Sequence, residues 1–173
     1  AASDVYKRQE DVYIKNSFSP NHYKEVTEDL IAALKFTATA VNGLNDDDVK
    51  ISKRLNLSSR KLRGFEPGKI GPKDGKDFIG GNYAYSVNLE ANLPNFFPEK
   101  SNAEIGLFLD AGNVWGVDYS DALDDSNELR STIGINTSWL SPAGPLSFIF
   151  SQNVTKASTD VDQSFNFRLG TTF

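Results

Sequence analysis

Apolar and polar side chains alternate over stretches of about ten residues along most of this chain, and that period of two restricts the stretches to β-strands. In 81–93, Tyr83, Tyr85, Val87, Leu89, Ala91 and Leu93 oppose Asn82, Ser86, Asn88, Glu90 and Asn92. In 129–140, Leu129, Ile133, Ile135 and Trp139 oppose Arg130, Thr132, Asn136 and Ser138. Matching the whole chain to this template predicts seven strands, at about 11–26, 29–42, 81–93, 103–115, 129–140, 146–154 and 164–173. Pro20 interrupts the first and makes it the weakest. The last ends on an aromatic, with Phe165, Phe167, Leu169 and Phe173 on one face and Asn166, Arg168 and Thr172 on the other. A terminus frays unless it is tethered, and the final strand of a membrane barrel is tethered.

The connections carry as much information as the strands. Short links near Glu28, at Pro94 to Lys100 and at Ser141 to Pro145 alternate with longer polar ones at 43–80, 116–128 and 155–163. Transmembrane barrels alternate short periplasmic turns with long external loops in this way, and the parity puts the C-terminus at the periplasmic rim. No run of about 18 apolar residues is present, which excludes a helical membrane protein and leaves a barrel open. The fold class expected is therefore all-β, about seven antiparallel strands of a transmembrane barrel in a bacterial outer membrane. Seven strands do not close such a barrel, and the chain contains no Met, so it is expected to be the C-terminal part of a larger one, or a processed chain. Residues 1–9 fit nothing that follows, and Val5 to Gln9 resembles translated sequencing adapter. They are expected to be non-native, with the barrel portion running from 10 to 173.

Composition narrows the chemistry. A net charge of -5 argues against a nucleic-acid partner, which calls for a basic patch. No cysteine is present, so thiolate metal sites and thiol nucleophiles are excluded. His22 is the only histidine and stands in the weakest strand, leaving no parts for a Ser-His-Asp triad or a multi-histidine metal site. Asp46, Asp47 and Asp48 lack the spacing of a calcium loop, and Lys69 and Lys73 around Gly71 lack that of a phosphate loop. No enzymatic activity and no cofactor are expected.

The connection at 43–80 is far longer than a hairpin needs, and such length usually means function or disorder. It holds Leu62-Arg63-Gly64-Phe65, then Lys69-Ile70-Gly71-Pro72-Lys73 and Gly80-Gly81-Asn82. With Phe108 to Trp115, Ser141 to Leu146 and the terminal Phe165 to Phe173, these segments resemble the surface antigen family of outer-membrane barrel insertases and polypeptide transporters. Its signature is the Arg-Gly-Phe triplet of the sixth external loop. The matches run in order over about residues 50–173.

The resemblance implies a sixteen-stranded barrel with this loop folded into the lumen and its Arg-Gly-Phe tip held against the wall. The partners it implies lie in the next two strands, at Glu90 and Asp110. Strand phase agrees independently, because both carboxylates fall on the polar faces of their strands, where an acid avoids lipid. If the intervening turn centres near Pro98, Asp110 faces a position around Ser86, about 13 Å from Glu90 at about 3.3 Å per residue. Arg63 is then expected to pair with Asp110 first and Glu90 second, while Gly64 permits a bend and Phe65 fills an apolar niche. Without the resemblance, the same residues read as an ordinary loop cation and two acids lining a wet channel.

The function implied is folding and insertion of barrel proteins into the outer membrane. Its expected partners are unfolded outer-membrane precursors, assembly-machinery lipoproteins and outer-membrane lipid. The edge at Phe165, Phe167, Leu169, Gly170 and Phe173 would be seam and C-terminal signal, with Gly170 weakening it locally. A polypeptide-secretion pore of the same family is the alternative, and a passive porin is further off.

Overall fold

In the computed structural model the alternation becomes one sheet. The structure describes residues 2–8, 11–28, 30–44, 48–93, 102–123, 125, 128–141 and 144–170. Its strands are β1 (Ala2–Arg8), β2 (Asp11–Phe18), β3 (Asn21–Thr27), β4 (Leu30–Gly43), β5 (Lys73–Asp74), β6 (Asp77–Phe78), β7 (Tyr83–Asn92), β8 (Ala103–Trp115), β9 (Arg130–Ser141), β10 (Gly144–Thr155) and β11 (Phe165–Leu169). Among the described residues, nine strands form one antiparallel sheet in the order β1-β2-β4-β7-β8-β9-β10-β11, with β3 also paired to β4. The pair β5–β6 stands apart as a small hairpin within the long loop.

The two faces of the sheet are chemically opposite. On the outer face, Leu89, Leu107, Leu109, Ile133, Ile135, Phe150, Phe165 and Phe167 are each 43–55% exposed. Phe148 stacks on Phe167 and Phe150 on Phe165, ring centroids 5.2 and 5.1 Å apart, across the last strand pair. So large a continuous apolar surface is unfavourable in water and suits lipid. The inner face carries Ser86, Asn88, Asp110, Arg130 and Thr132, all buried. The segment 44–82 covers most of them, while Arg130 is enclosed by Asp125 and Asp160 of two other loops. From that segment, Val49, Leu55, Leu57, Leu62, Phe65 and Ile70 pack with Val41, Ala84 and Val114 of the sheet into the single apolar cluster of the chain's described residues.

Three expectations change. The first strand is divided at Ser19-Pro20 into β2 and β3, yet both pair with β4 in one register, Phe18 facing Ala38 and Asn21 facing Lys35. Proline removes a donor without removing an acceptor, and the Pro20 carbonyl still receives the Phe36 N–H at 3.0 Å. The segment 1–9, left out of the fold by its sequence, contributes β1, with Tyr6 facing Tyr13 and Arg8 facing Asp11. In the sequence Asp4, Lys7 and Arg8 do not alternate regularly with apolar residues, and backbone pairing to β2 is what makes the segment a strand. Finally, β11 stops at Leu169, and Gly170 turns away at φ +146° while its N–H still reaches the Pro145 carbonyl. Phe173, Thr172, the residues 45–47 of the acidic run and the short links at 94–101 and 142–143 lie outside the described residues.

Candidate functional site

The tip of the long loop meets β7 and β8 at a group of four charges. Asp110 points inward from β8 and accepts from Arg63 Nε and Nη2, both at 2.6 Å, and from the Arg63 backbone N–H at 3.1 Å. Arg63 Nη2 also lies 2.9 Å from a carboxylate oxygen of Glu90, whose other oxygen meets Lys35 Nζ at 2.5 Å. Two cations thus face two carboxylates. The Asp110 side chain is fully buried and that of Arg63 is 8% exposed, so neither ion has water to fall back on. Asn88 supplies the remaining donor, its amide reaching Asp110 at 2.7 Å and the Lys61 carbonyl at 2.8 Å.

The register explains how one arginine reaches both acids. Asp110 faces Asn88 and Phe108 faces Glu90, so the expected neighbour Ser86 is displaced by two residues. Moving the centre of a hairpin by one residue moves every partner by two, and the pairing is centred one residue beyond Pro98. Glu90 and Asp110 therefore lie close along the wall and are not about 13 Å apart.

Aromatic packing completes the cradle. The Arg63 guanidinium carbon sits 3.7 Å from the centroid of the Phe108 ring, a cation–π contact. That ring lies over Gly134 of β9, where an added Cβ would come within 2.5 Å of its Cζ. Gly64 follows at φ +88°, and a Cβ there would meet Thr132 Oγ1 at 2.7 Å and Asn153 Oδ1. Phe65 is 2% exposed and forms a β-bridge to Asp162 in the loop between β10 and β11. Hydrogen bonds from Gln163 N–H to the Gly64 carbonyl (2.9 Å) and from Glu66 N–H to the Val161 carbonyl (2.9 Å) flank it.

Two further arginines hold loop to loop, and sequence reasoning passed over both. Arg130, its side chain wholly buried, donates to both oxygens of Asp160 at 2.9 Å, to Asp125 at 2.5 Å and to Asn113. It joins the segments 116–129 and 155–164. Arg54 donates to Asp118 at 2.5 Å, and the same carboxylate accepts from Val49 N–H (2.5 Å) and Asn82 (3.0 Å). Burial opposes charge on Asp118, but these donors and the Arg54 charge outweigh it and hold its carboxyl below the usual value. Arg54 was legible only as a loop cation and Arg130 only as a polar-face strand residue, because their partners are 64 and 30 positions away. Lys35 and Asn88 were visible as polar-face residues but carried no motif, and Phe108 stood in a matching segment without a role of its own.

Shortly before the tip, the loop meets the last strand: Arg168 of β11 donates to the Ser59 carbonyl at 3.0 Å and to its hydroxyl at 2.9 Å. Phe165, Phe167 and Leu169 point outward, and among the described residues β11 pairs with β10 alone.

The Omp85 superfamily domain matches residues 5–173. The chain belongs to the Omp85 superfamily. Among Omp85 relatives it is 34% identical over 140 residues to the outer membrane protein assembly factor BamA of Neisseria meningitidis serogroup B, covering 65% of this chain and 17% of that protein. It is 28% identical over 138 residues to BamA of Neorickettsia risticii, covering 78% and 18%. A SAM50-like protein of Schizosaccharomyces pombe is 38% identical over 78 residues, 43% of this chain and 16% of that one. The crystal structure of BamA from Haemophilus ducreyi lacking POTRA domains 1-3 superposes with a TM-score of 0.76 at 27% identity, over 90% of this chain and 34% of that one. This Omp85 chain spans less than a fifth of the length of these curated relatives. The superposition places its nine-stranded sheet as an arc of a barrel wall, with the outer face toward lipid and the inner face toward the lumen.

Proposed function

We propose that this chain is the loop-bearing, C-terminal wall of an outer-membrane protein assembly factor that folds and inserts β-barrel precursors into the outer membrane. The observation that carries the reading is the docked tip at Arg63, Gly64 and Phe65. A loop of this length docked on buried charges against the inner wall is more elaborate than a passive pore requires, which favours an active role for it. Likeness to two BamA proteins and to a SAM50-like protein supports a role in assembly. The work is conformational and not enzymatic. Arg63, Glu90 and Asp110 lock the loop to the wall, and the β11 edge offers backbone donors and acceptors to an incoming strand. The partners of such a role are unfolded outer-membrane precursors, the lipoproteins of the assembly machinery, and the surrounding lipid.

Depleting the full-length protein in its own cell tests this directly. Outer-membrane barrels of unrelated function should fall together, with their precursors accumulating in the periplasm. Loss of one secreted polypeptide with normal barrel levels would overturn the reading.

A further inference from the structure

A second polar site lies on the inner face, beside the Arg63 cradle but sharing none of its charged side chains. Between β2, β4 and the loop segment 55–58 is a cavity of about 330 Å³, lined among others by Lys15, Ser17, Ser19, Thr37, Thr39 and Lys61. That volume is at the low end for small-molecule pockets and far below what a folded partner needs. Its chemistry is one-sided. Among the described residues neither Lys15 nor Lys61 has an ion-pair partner, although Lys35, Arg54, Arg63 and Arg130 are all matched to carboxylates.

The hydroxyls are arranged to give. Ser17 and Thr39 share a hydrogen bond of 3.2 Å, and Ser19 donates to Thr37 at 3.4 Å. One hydroxyl of each pair uses its proton within the pair, so the other keeps a proton for a third group. Two ammonium groups and two O–H donors therefore converge on one small space. Burial first, and then the positive charge of Lys15, push the Lys61 ammonium below its ordinary pKa, so a ligand that neutralised the pair would relieve an existing repulsion.

We infer that this cavity is an anion site for a phosphate group, with Lys15 and Lys61 as charge partners and the Ser17–Thr39 and Ser19–Thr37 pairs as hydroxyl donors. A phosphate dianion matches two lysines in charge and offers the oxygens that four donors require. It can arrive as free phosphate or as the head group of a phospholipid reaching the lumen. The site stands on the inner-face geometry alone and does not depend on the assembly reading.

Titration of the full-length protein in detergent micelles with inorganic phosphate, at constant ionic strength set by chloride, tests it. Saturable binding is expected in the parent. Lys15→Gln and Lys61→Gln should each weaken it roughly tenfold or more, the size of losing one hydrogen bond to a charged group. Lys24→Gln, on the exposed β3, should bind as the parent does. Heat-dependent electrophoretic mobility confirms that each variant is folded. Repeating the titration with short-chain phosphatidic acid separates the sources: tighter binding of the lipid identifies a head group, equal binding the free ion. If neither ligand binds the folded parent, or both lysine variants bind like Lys24→Gln, the proposal falls. A carboxylate brought to the lysines by the rest of the barrel would give that first result.

Discussion

Arg63 gives Asp110 three hydrogen bonds, two from its guanidinium and one from its own backbone N–H. The third fixes the main chain of the loop tip, not only the side chain, so docking depends on the position of residue 63 as well as its charge. Arg63→Ala should leave Asp110 buried and uncompensated, loosening the tip by about 3–5 kcal/mol. Arg63→Lys keeps the charge but offers no planar fork, and should recover only part of this. Protease sensitivity of 55–72 in the full-length protein reads both, and parent-like resistance in Arg63→Ala would sink the docked loop.

Gly64 is constrained twice, by its positive φ and by the closeness of Thr132 and Asn153. Gly64→Ala should destabilise the loop by about 1–3 kcal/mol through backbone strain, with the contacts adding to it. Adding Thr132→Ala and Asn153→Ala should relieve both contacts and leave the dihedral, restoring only part of the thermal unfolding midpoint. Full restoration would show that the φ of Gly64 is unimportant.

Arg130 holds two loops at once through Asp125 and Asp160. Arg130→Met should raise amide exchange in 116–125 and 155–164 together, since it strands the fully buried Asp160. Pairing it with Asp160→Leu removes the stranded charge and should regain much of the protection. Loosening of only one loop in Arg130→Met would contradict a shared anchor.

The segment around Asp118 should respond to acid in a defined direction. Its folded pKa lies below the ordinary value, so its contribution is fully present above about pH 4 and is lost as pH falls through the folded pKa. Amide exchange at 117–123, corrected for intrinsic rates, should show Asp118→Asn less protected than the parent at pH 7. The gap should close below about pH 4. A gap that persists or widens in acid would reverse the assignment.

Much of this architecture was readable because the outer face tolerates so little. Leu107, Leu109, Ile133 and Ile135 must be apolar at every second position, so strand identity and phase survive in the sequence. Gly64, Phe65 and Arg63 were found through a motif, and Glu90 and Asp110 through phase combined with resemblance. Register was not readable, since the pairing of Asp110 with Asn88 in place of Ser86 turns on the centre of a hairpin link that side-chain period does not fix. Nor were the Arg54–Asp118 and Arg130–Asp160 pairs, whose members are distant in sequence and of which Arg54, Asp118 and Asp160 sit in loops free of any period. β1 escaped because a strand recruited by backbone pairing needs no amphipathic signal of its own.

The bonds from Arg168 to Ser59 leash the last strand from inside the lumen. A polypeptide that peels β11 off β10 toward the lipid must also pull Ser59 or break from it, and the segment from Ser59 to Arg63 is only a few residues long. Strand displacement and loop release therefore draw on the same free energy, and linkage makes the effect mutual. Whatever frees the tip slackens the strand, and whatever drags the strand outward reports to the tip.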